Sequence, residues 1–132
     1  MISPLMQFLT ENTPTAQREE FTLSERLKDY KFVIRPLSNP EYQEILDQCV
    51  KFDSKGKVNM NTKLMGIKLI ESACVDPDFR NAEFISASGC MTPMNVINKT
   101  LLPGEIQELS NRIQKLSGFT TFDEDVTEAK ND

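Results

Sequence analysis

Apolar residues in this chain recur mainly at helical spacing, and the most regular run lies between positions 101 and 119. Its members are separated alternately by four and three residues: Leu102, Ile106, Leu109, Ile113 and Leu116. This spacing places them on one narrow stripe of a helix, which we call the apolar seam. Because such a stripe has to be covered, we expect it to pack either on the rest of this chain or on another protein.

The same stretch specifies both ends of the helix. Pro103 suits the first helical position, because the N–H that proline lacks would have no partner there. Glu105 puts a negative charge in the first turn, against the positive end of the helix dipole. Gly118 can adopt the left-handed conformation that ends helices, and Phe119 follows where an apolar contact is common.

Four further helices precede this one. Ser38 and Glu41 form a capping box, and Asn61 and Thr92 are N-cap residues. Gly89 ends a short helix. The predicted helices cover residues 39–50, 61–74, 81–88, 93–101 and 103–117.

The helix over 61–74 has few charges in its middle, so we expect it to be the most buried element. Gly66 lies inside it. A glycine there either lowers helix stability by about 1 kcal/mol relative to alanine or permits a close helix approach.

Residues 20–37 have the alternation of a β-hairpin. Tyr30, Phe32 and Ile34 alternate with polar or smaller residues, and Lys28-Asp29 is the predicted turn. Residues 52–59 indicate a loop, with a small hairpin as an alternative. We therefore predict a mainly helical α+β domain over 20–119, in which an N-terminal β-hairpin packs on a bundle of about five helices.

Two segments flank this domain. Ser3 and Pro4 begin a short helical turn, and residues 1–19 otherwise form a linker. The apolar residues after Pro4 are expected to dock on the body or on a partner. Residues 120–132 are predicted to be a disordered acidic tail.

Charge is unevenly distributed over the 132 residues, whose formal net charge is −5. Residues 119–132 contribute −4, from five carboxylates against Lys130. No basic face remains, which argues against a nucleic-acid partner. No apolar run approaches the roughly 20 residues of a membrane span, and no signal peptide is evident, so a cytoplasmic protein is expected.

Catalytic and metal-binding patterns are missing from the sequence. It contains no histidine, and its three cysteines form no CxxC pair. Phosphate-binding glycine loops are also absent. Asp76 and Asp78 could bind a divalent ion or act as acid and base, but they flank Pro77, which favours a turn. We therefore expect no enzyme activity, no metal and no cofactor.

Partner binding is the remaining class of function, and three sets of residues are candidates. The first is the apolar seam, which could also meet a second copy of this chain. The second is Met91 and Met94, because methionine repacks easily, although filling the core is the alternative. The third is Asp123, Glu124 and Asp125, as a contact or as a solubilising segment.

Several separated stretches form a recognisable pattern. In the second half of the chain they are SACV at 72–75 with Pro77, Gly89 with its small neighbours, and LLPGE at 101–105 leading to Gly118-Phe119. In the first half they are Phe8-Leu9, Arg26, residues 34–37, Glu41 and Cys49. Over residues 5–119 this pattern resembles the XkdN-like tail assembly chaperones of phages and prophages of Gram-positive bacteria. The tight turn at Lys28-Asp29 and the short loop at 53–59 depart from it.

The resemblance implies a non-enzymatic protein of the host bacterial cytoplasm. Such chaperones coat the tape measure protein while the tail is built, keep it soluble and help to bring tail tube protein to it. They are absent from the finished virion. Many such systems also make a longer, frameshifted product. If this gene has one, the two products would diverge after Phe119. The alternative is a small structural component of the phage tail.

Overall fold

The computed structural model of the protein describes residues 1–119, and within them the chain forms helices and a small antiparallel sheet. The helices are α1 (Pro4–Glu11), α2 (Asn39–Cys49), α3 (Thr62–Ala73), α4 (Ala82–Ala87), α5 (Pro93–Thr100) and α6 (Pro103–Leu116). The strands are β1 (Glu19–Phe21), β2 (Phe32–Ile34), β3 (Val50–Phe52), β4 (Val58–Met60) and β5 (Cys74–Asp76). The predicted fold class, mainly helical α+β, is confirmed.

Helix α3 is the centre of the packing, as its sequence predicts. It packs against α6, α2 and α5. Its buried residues are Ile67, Leu69, Ile70 and Ala73. Together with buried side chains from the other elements they form one continuous core.

Local capping explains where the helices begin and end. Ser38 Oγ accepts the backbone N–H of Glu41, and the Glu41 carboxylate accepts the N–H of Ser38. At the end of α6, Gly118 has a φ of 97°. The N–H groups of Gly118 and Phe119 donate to the carbonyls of Lys115 and Gln114, which closes the last turn of α6.

The predicted N-terminal hairpin is present, but its predicted turn is wrong. β1 and β2 pair antiparallel with Phe21 opposite Phe32. Residues 22–31 connect them and include a short 3-10 helix, Glu25–Leu27. Lys28-Asp29 does not form a two-residue turn, because that turn needs positive φ values that glycine and asparagine favour. Among the described residues, no residue other than glycine has a positive φ.

A third strand, β5, pairs antiparallel with β2 directly after α3. The predicted helix over 61–74 therefore ends at Ala73. The backbone N–H of Arg35 donates to the carbonyl of Ala73 at 3.0 Å, where the helix gives way to the strand. Cys74 extends the apolar pattern of α3, which is why the pattern alone did not separate the two elements.

Residues 50–60 form a second hairpin, the alternative to a loop that the sequence left open. β3 and β4 pair antiparallel, and Gly56 has a φ of 77° in the connection. Asp53 Oδ1 accepts the N–H groups of Lys55 and Lys57, both at 2.8 Å. All residues from 51 to 60 are exposed, so this hairpin stands away from the core.

Candidate partner-binding surfaces

The apolar seam of α6 lies mostly against the core. Leu109 and Ile113 are completely buried, and Ile106 and Leu116 are half-buried and pack on the same core. A partner cannot reach Leu109 or Ile113 in the folded protein, so they belong to the alternative in which the seam packs on its own chain. Leu102 differs, because 55% of it is exposed.

The two methionines predicted to bind a partner also differ in exposure. Met91 is among the most exposed apolar residues, whereas Met94 is half-buried against the core. Asp123, Glu124 and Asp125 lie outside the described residues. A partner-binding role for Leu102 and Met91 stays a prediction.

Helix α1 presents a continuous apolar surface. Ser3 caps it by accepting the N–H of Met6 at 3.1 Å, and Pro4 occupies its first turn. None of its residues is buried. More than half of the surface of each large apolar side chain is accessible: Leu5, Met6, Phe8 and Leu9. The expectation that these residues dock on the body is therefore not met within residues 1–119, and docking on a partner stays a prediction.

A buried carboxylate fastens the connection between β1 and β2 to the start of α6. Glu105 is only 5% exposed and accepts hydrogen bonds from Ser24 Oγ at 2.5 Å and from Arg26 Nε at 2.8 Å. Arg26 Nη2 donates to its second oxygen at 2.6 Å, and the N–H of Leu102 donates there at 2.7 Å. Burial raises the pKa of Glu105, but these hydrogen bonds outweigh it and hold the pKa at about 2. The carboxylate is therefore charged at neutral pH, and it joins the β1–β2 connection to the start of α6.

A second ion pair fastens β2 to α2 and α3. Arg35 donates to both carboxylate oxygens of Glu41, at 3.0 and 2.7 Å, and its Nη2 also donates to the carbonyl of Ser72. The Arg35 hydrogen bonds lower the pKa of Glu41 to about 2, with a further contribution from Ser38.

An apolar groove of about 640 Å³ lies between the β1–β2 connection, the turn after β5 and the ends of α4 and α5. We call it the Tyr30 groove. The buried side chains of Phe32, Phe79 and Leu101 contribute to its lining, together with the half-buried Leu27 and Phe84. Tyr30 lies at its edge with 71% of its surface exposed. Such a mixture of buried apolar residues and an accessible aromatic ring is typical of a site that takes apolar side chains.

Charged residues around the Tyr30 groove are predominantly acidic. Glu20, Asp29 and Asp76 line it, against the single cation Lys31. Within residues 1–119 the three carboxylates form no ion pair, and Lys31 donates to Thr22 Oγ1 at 3.0 Å. The groove therefore has a negative rim.

The groove was not predicted from the sequence, because its lining comes from separate stretches between Glu20 and Leu101. No single motif contains them. The alternation predicts Tyr30 in a hairpin strand with Phe32 and Ile34, whereas Tyr30 lies before β2 and is 71% exposed.

Asp78 lies in a turn, and two of the three cysteines lie in the core. Asp78 Oδ1 accepts the N–H of Arg80 at 3.0 Å, which fits a turn residue. Cys49 and Cys74 are buried, and burial raises the pKa of the Cys74 thiol to about 12. Over the described part of the chain there is no cluster of potential metal ligands and no helix that could span a membrane.

Comparison with protein families decides the affiliation of the chain. The model of the phage XkdN-like tail assembly chaperone proteins matches residues 5–130. The chain belongs to this family. Arg26 and Glu105, two members of the sequence pattern that resembled the family, are thus also the residues joined by the buried ion pair.

A solved structure supports the fold independently. The chain is similar to the crystal structure of the protein YqbN, with a TM-score of 0.70 and 18% sequence identity. The similarity covers 91% of this chain and 100% of YqbN. At this identity the likeness concerns the fold alone. No curated protein matches the chain in sequence.

Proposed function

We propose that this tail assembly chaperone binds the tape measure protein in the host bacterial cytoplasm and assists the recruitment of tail tube protein to it. The observation that carries the proposal is the exposed apolar surface of α1, in a chain that belongs to the chaperone family. We propose further that its role is binding and not catalysis, and that it leaves before the virion is complete.

The chemistry of α1 suits this role. Its apolar side chains are already grouped on a capped helix, so a partner helix can cover them without first ordering the segment. Burying a Leu or Phe side chain contributes about 1.5–3 kcal/mol, before the cost of association is subtracted. A few such contacts suffice for binding that can later be released.

Residues 12–18 join α1 to β1, and all but Thr15 are exposed. They contain a short 3-10 helix, Pro14–Ala16, but none of that helix is buried. Helix α1 can therefore be changed without disturbing the core, which makes it a clean target for an experiment.

The experiment is co-expression of the chaperone with the tape measure protein of the same phage or prophage, followed by centrifugation and affinity purification. We expect the wild-type chaperone to keep the tape measure protein soluble and to copurify with it. The double variant Leu5→Asp/Leu9→Asp should lose both effects. Gln7→Asp/Thr10→Asp adds the same charge to the polar side of α1 and serves as the matched control.

Two outcomes would overturn the proposal. One is the failure of the wild-type chaperone to bind or solubilise the tape measure protein. The other is its recovery from purified virions at a fixed stoichiometry by quantitative mass spectrometry, which would make it a structural tail component.

A further inference from the structure

We propose that the Tyr30 groove binds a segment of the tape measure protein in which apolar side chains stand beside lysine or arginine. This inference rests on the proposed function and names the second surface that such a partner would use, in addition to α1.

The shape of the groove supports an apolar side chain as its occupant. Phe32, Phe79 and Leu101 are at most 8% exposed, so they form a packed, preformed lining. Its volume of about 640 Å³ is within the range of binding sites for small ligands. A preformed site of this kind loses little conformational entropy when it is filled.

Tyr30 provides the contact at the edge. Its ring is 71% exposed, and no hydrogen bond of its hydroxyl to another residue is found within residues 1–119. Tyrosine is enriched among the residues that dominate binding energy, because it offers a large rigid surface and a polar end. A ligand in the groove would cover this ring.

The negative rim selects the charge of the occupant. The lining contains one lysine and three carboxylates, Glu20, Asp29 and Asp76. None of the three carboxylates forms an ion pair in the described part of the chain. A lysine or arginine next to the apolar side chain would complement this rim. An acidic segment would be repelled.

The negative rim disfavours the segments of this chain that could fill the groove. Helix α1 contains Glu11 and no basic residue. Residues 119–132 carry a net charge of −4, and a second copy of the chain brings a net charge of −5. Charge complementarity therefore favours another protein as the occupant.

The test measures the affinity of purified chaperone variants for the tape measure protein by a titration such as biolayer interferometry. We expect Tyr30→Ala to weaken binding by about tenfold, because the ligand would lose a large, rigid contact surface. Phe52→Ala is the matched control, because Phe52 on β3 is also 71% exposed but lies away from the groove. It should leave the affinity unchanged.

A second pair of variants tests the charge. Glu20→Lys/Asp29→Lys reverses two charges of the rim, and Glu44→Lys/Asp47→Lys makes the same change on the exposed face of α2. Both double variants move the formal net charge from −5 to −1, because each replacement adds two positive units. Only the first should weaken binding, and only for the first should the remaining affinity lose its dependence on salt.

The outcomes separate this inference from the proposed function. If the wild-type chaperone binds and the groove variants bind equally well, the groove proposal is wrong and the proposed function stands. If the wild-type chaperone does not bind the tape measure protein, both are overturned. Circular dichroism of each variant verifies that its fold is unchanged, which is expected because all substituted side chains are exposed.

Discussion

Arg26 donates two hydrogen bonds to Glu105 across 79 residues of sequence, at 2.8 Å from Nε and 2.6 Å from Nη2. Arg26 also donates to the carbonyl of Thr100 at 2.8 Å, at the end of α5. One arginine therefore ties the β1–β2 connection to the junction between α5 and α6. The Tyr30 groove borders this junction, so the pair holds one of its walls in place.

Removing the buried carboxylate should destabilise the fold. We expect Glu105→Ala to lower the free energy of unfolding by about 2 kcal/mol, because a charged acceptor of several hydrogen bonds is lost. Glu108→Ala on the same helix removes a carboxylate that is 48% exposed and pairs with Arg112, and it should change stability by less than about 0.5 kcal/mol. Urea unfolding followed by circular dichroism measures both, and equal effects would contradict the structural role of Glu105.

The free energy of unfolding should fall in acid, because Glu105 and Glu41 become protonated. Both have a folded-state pKa of about 2, below the value of about 4.3 expected in the unfolded chain. Above pH 5 or so, their contribution is fully present. As the pH falls towards 2, the unfolded chain binds more protons and the contribution is lost.

The measurement for this prediction is a series of urea unfolding curves between neutral pH and pH 2. The Glu105→Gln variant lacks one of the two titrating groups, so its stability should depend less steeply on pH than that of the wild type. Parallel pH profiles for the two proteins would refute the assignment.

A buried and an exposed residue of the apolar seam should respond differently to truncation. Ile113 is completely buried, so Ile113→Ala should lower the free energy of unfolding by about 2–5 kcal/mol. Leu102 is 55% exposed, and Leu102→Ala should cost less than about 0.5 kcal/mol. Thermal unfolding of both variants tests this. A stable Ile113→Ala protein that fails to bind the tape measure protein would show that the apolar seam contacts a partner.

Replacement of Gly66 and of Gly118 by alanine should change the stability of the fold in opposite directions. At Gly66, a Cβ atom would lie 3.5 Å from Ser110 Oγ, which is ordinary contact, so Gly66→Ala should raise stability by about 0.5–1 kcal/mol through helix propensity. At Gly118 the φ of 97° disfavours any side chain, so Gly118→Ala should lower it by about 1 kcal/mol. Differential scanning calorimetry compares them. Destabilisation by Gly66→Ala would mean that α3 and α6 need the close approach.

The sequence was sufficient for the helices, because their signals are local. A capping box such as Ser38 with Glu41 spans four residues, and the closing turn at Gly118 and Phe119 needs no distant partner. The scarcity of charges in the middle of α3 likewise predicted its burial. The family was recognisable for a similar reason, since its pattern is read along the chain.

Features that depend on distant pairing could be assigned only from the folded chain. Strand β5 exists because β2 offers an edge to Cys74–Asp76, although the same residues continue the apolar pattern of α3. The wide β1–β2 connection depends on Arg26 meeting Glu105. The Tyr30 groove and the division of the seam into buried and exposed residues arise in the same way, because contacts between separate elements decide which side chains water can reach.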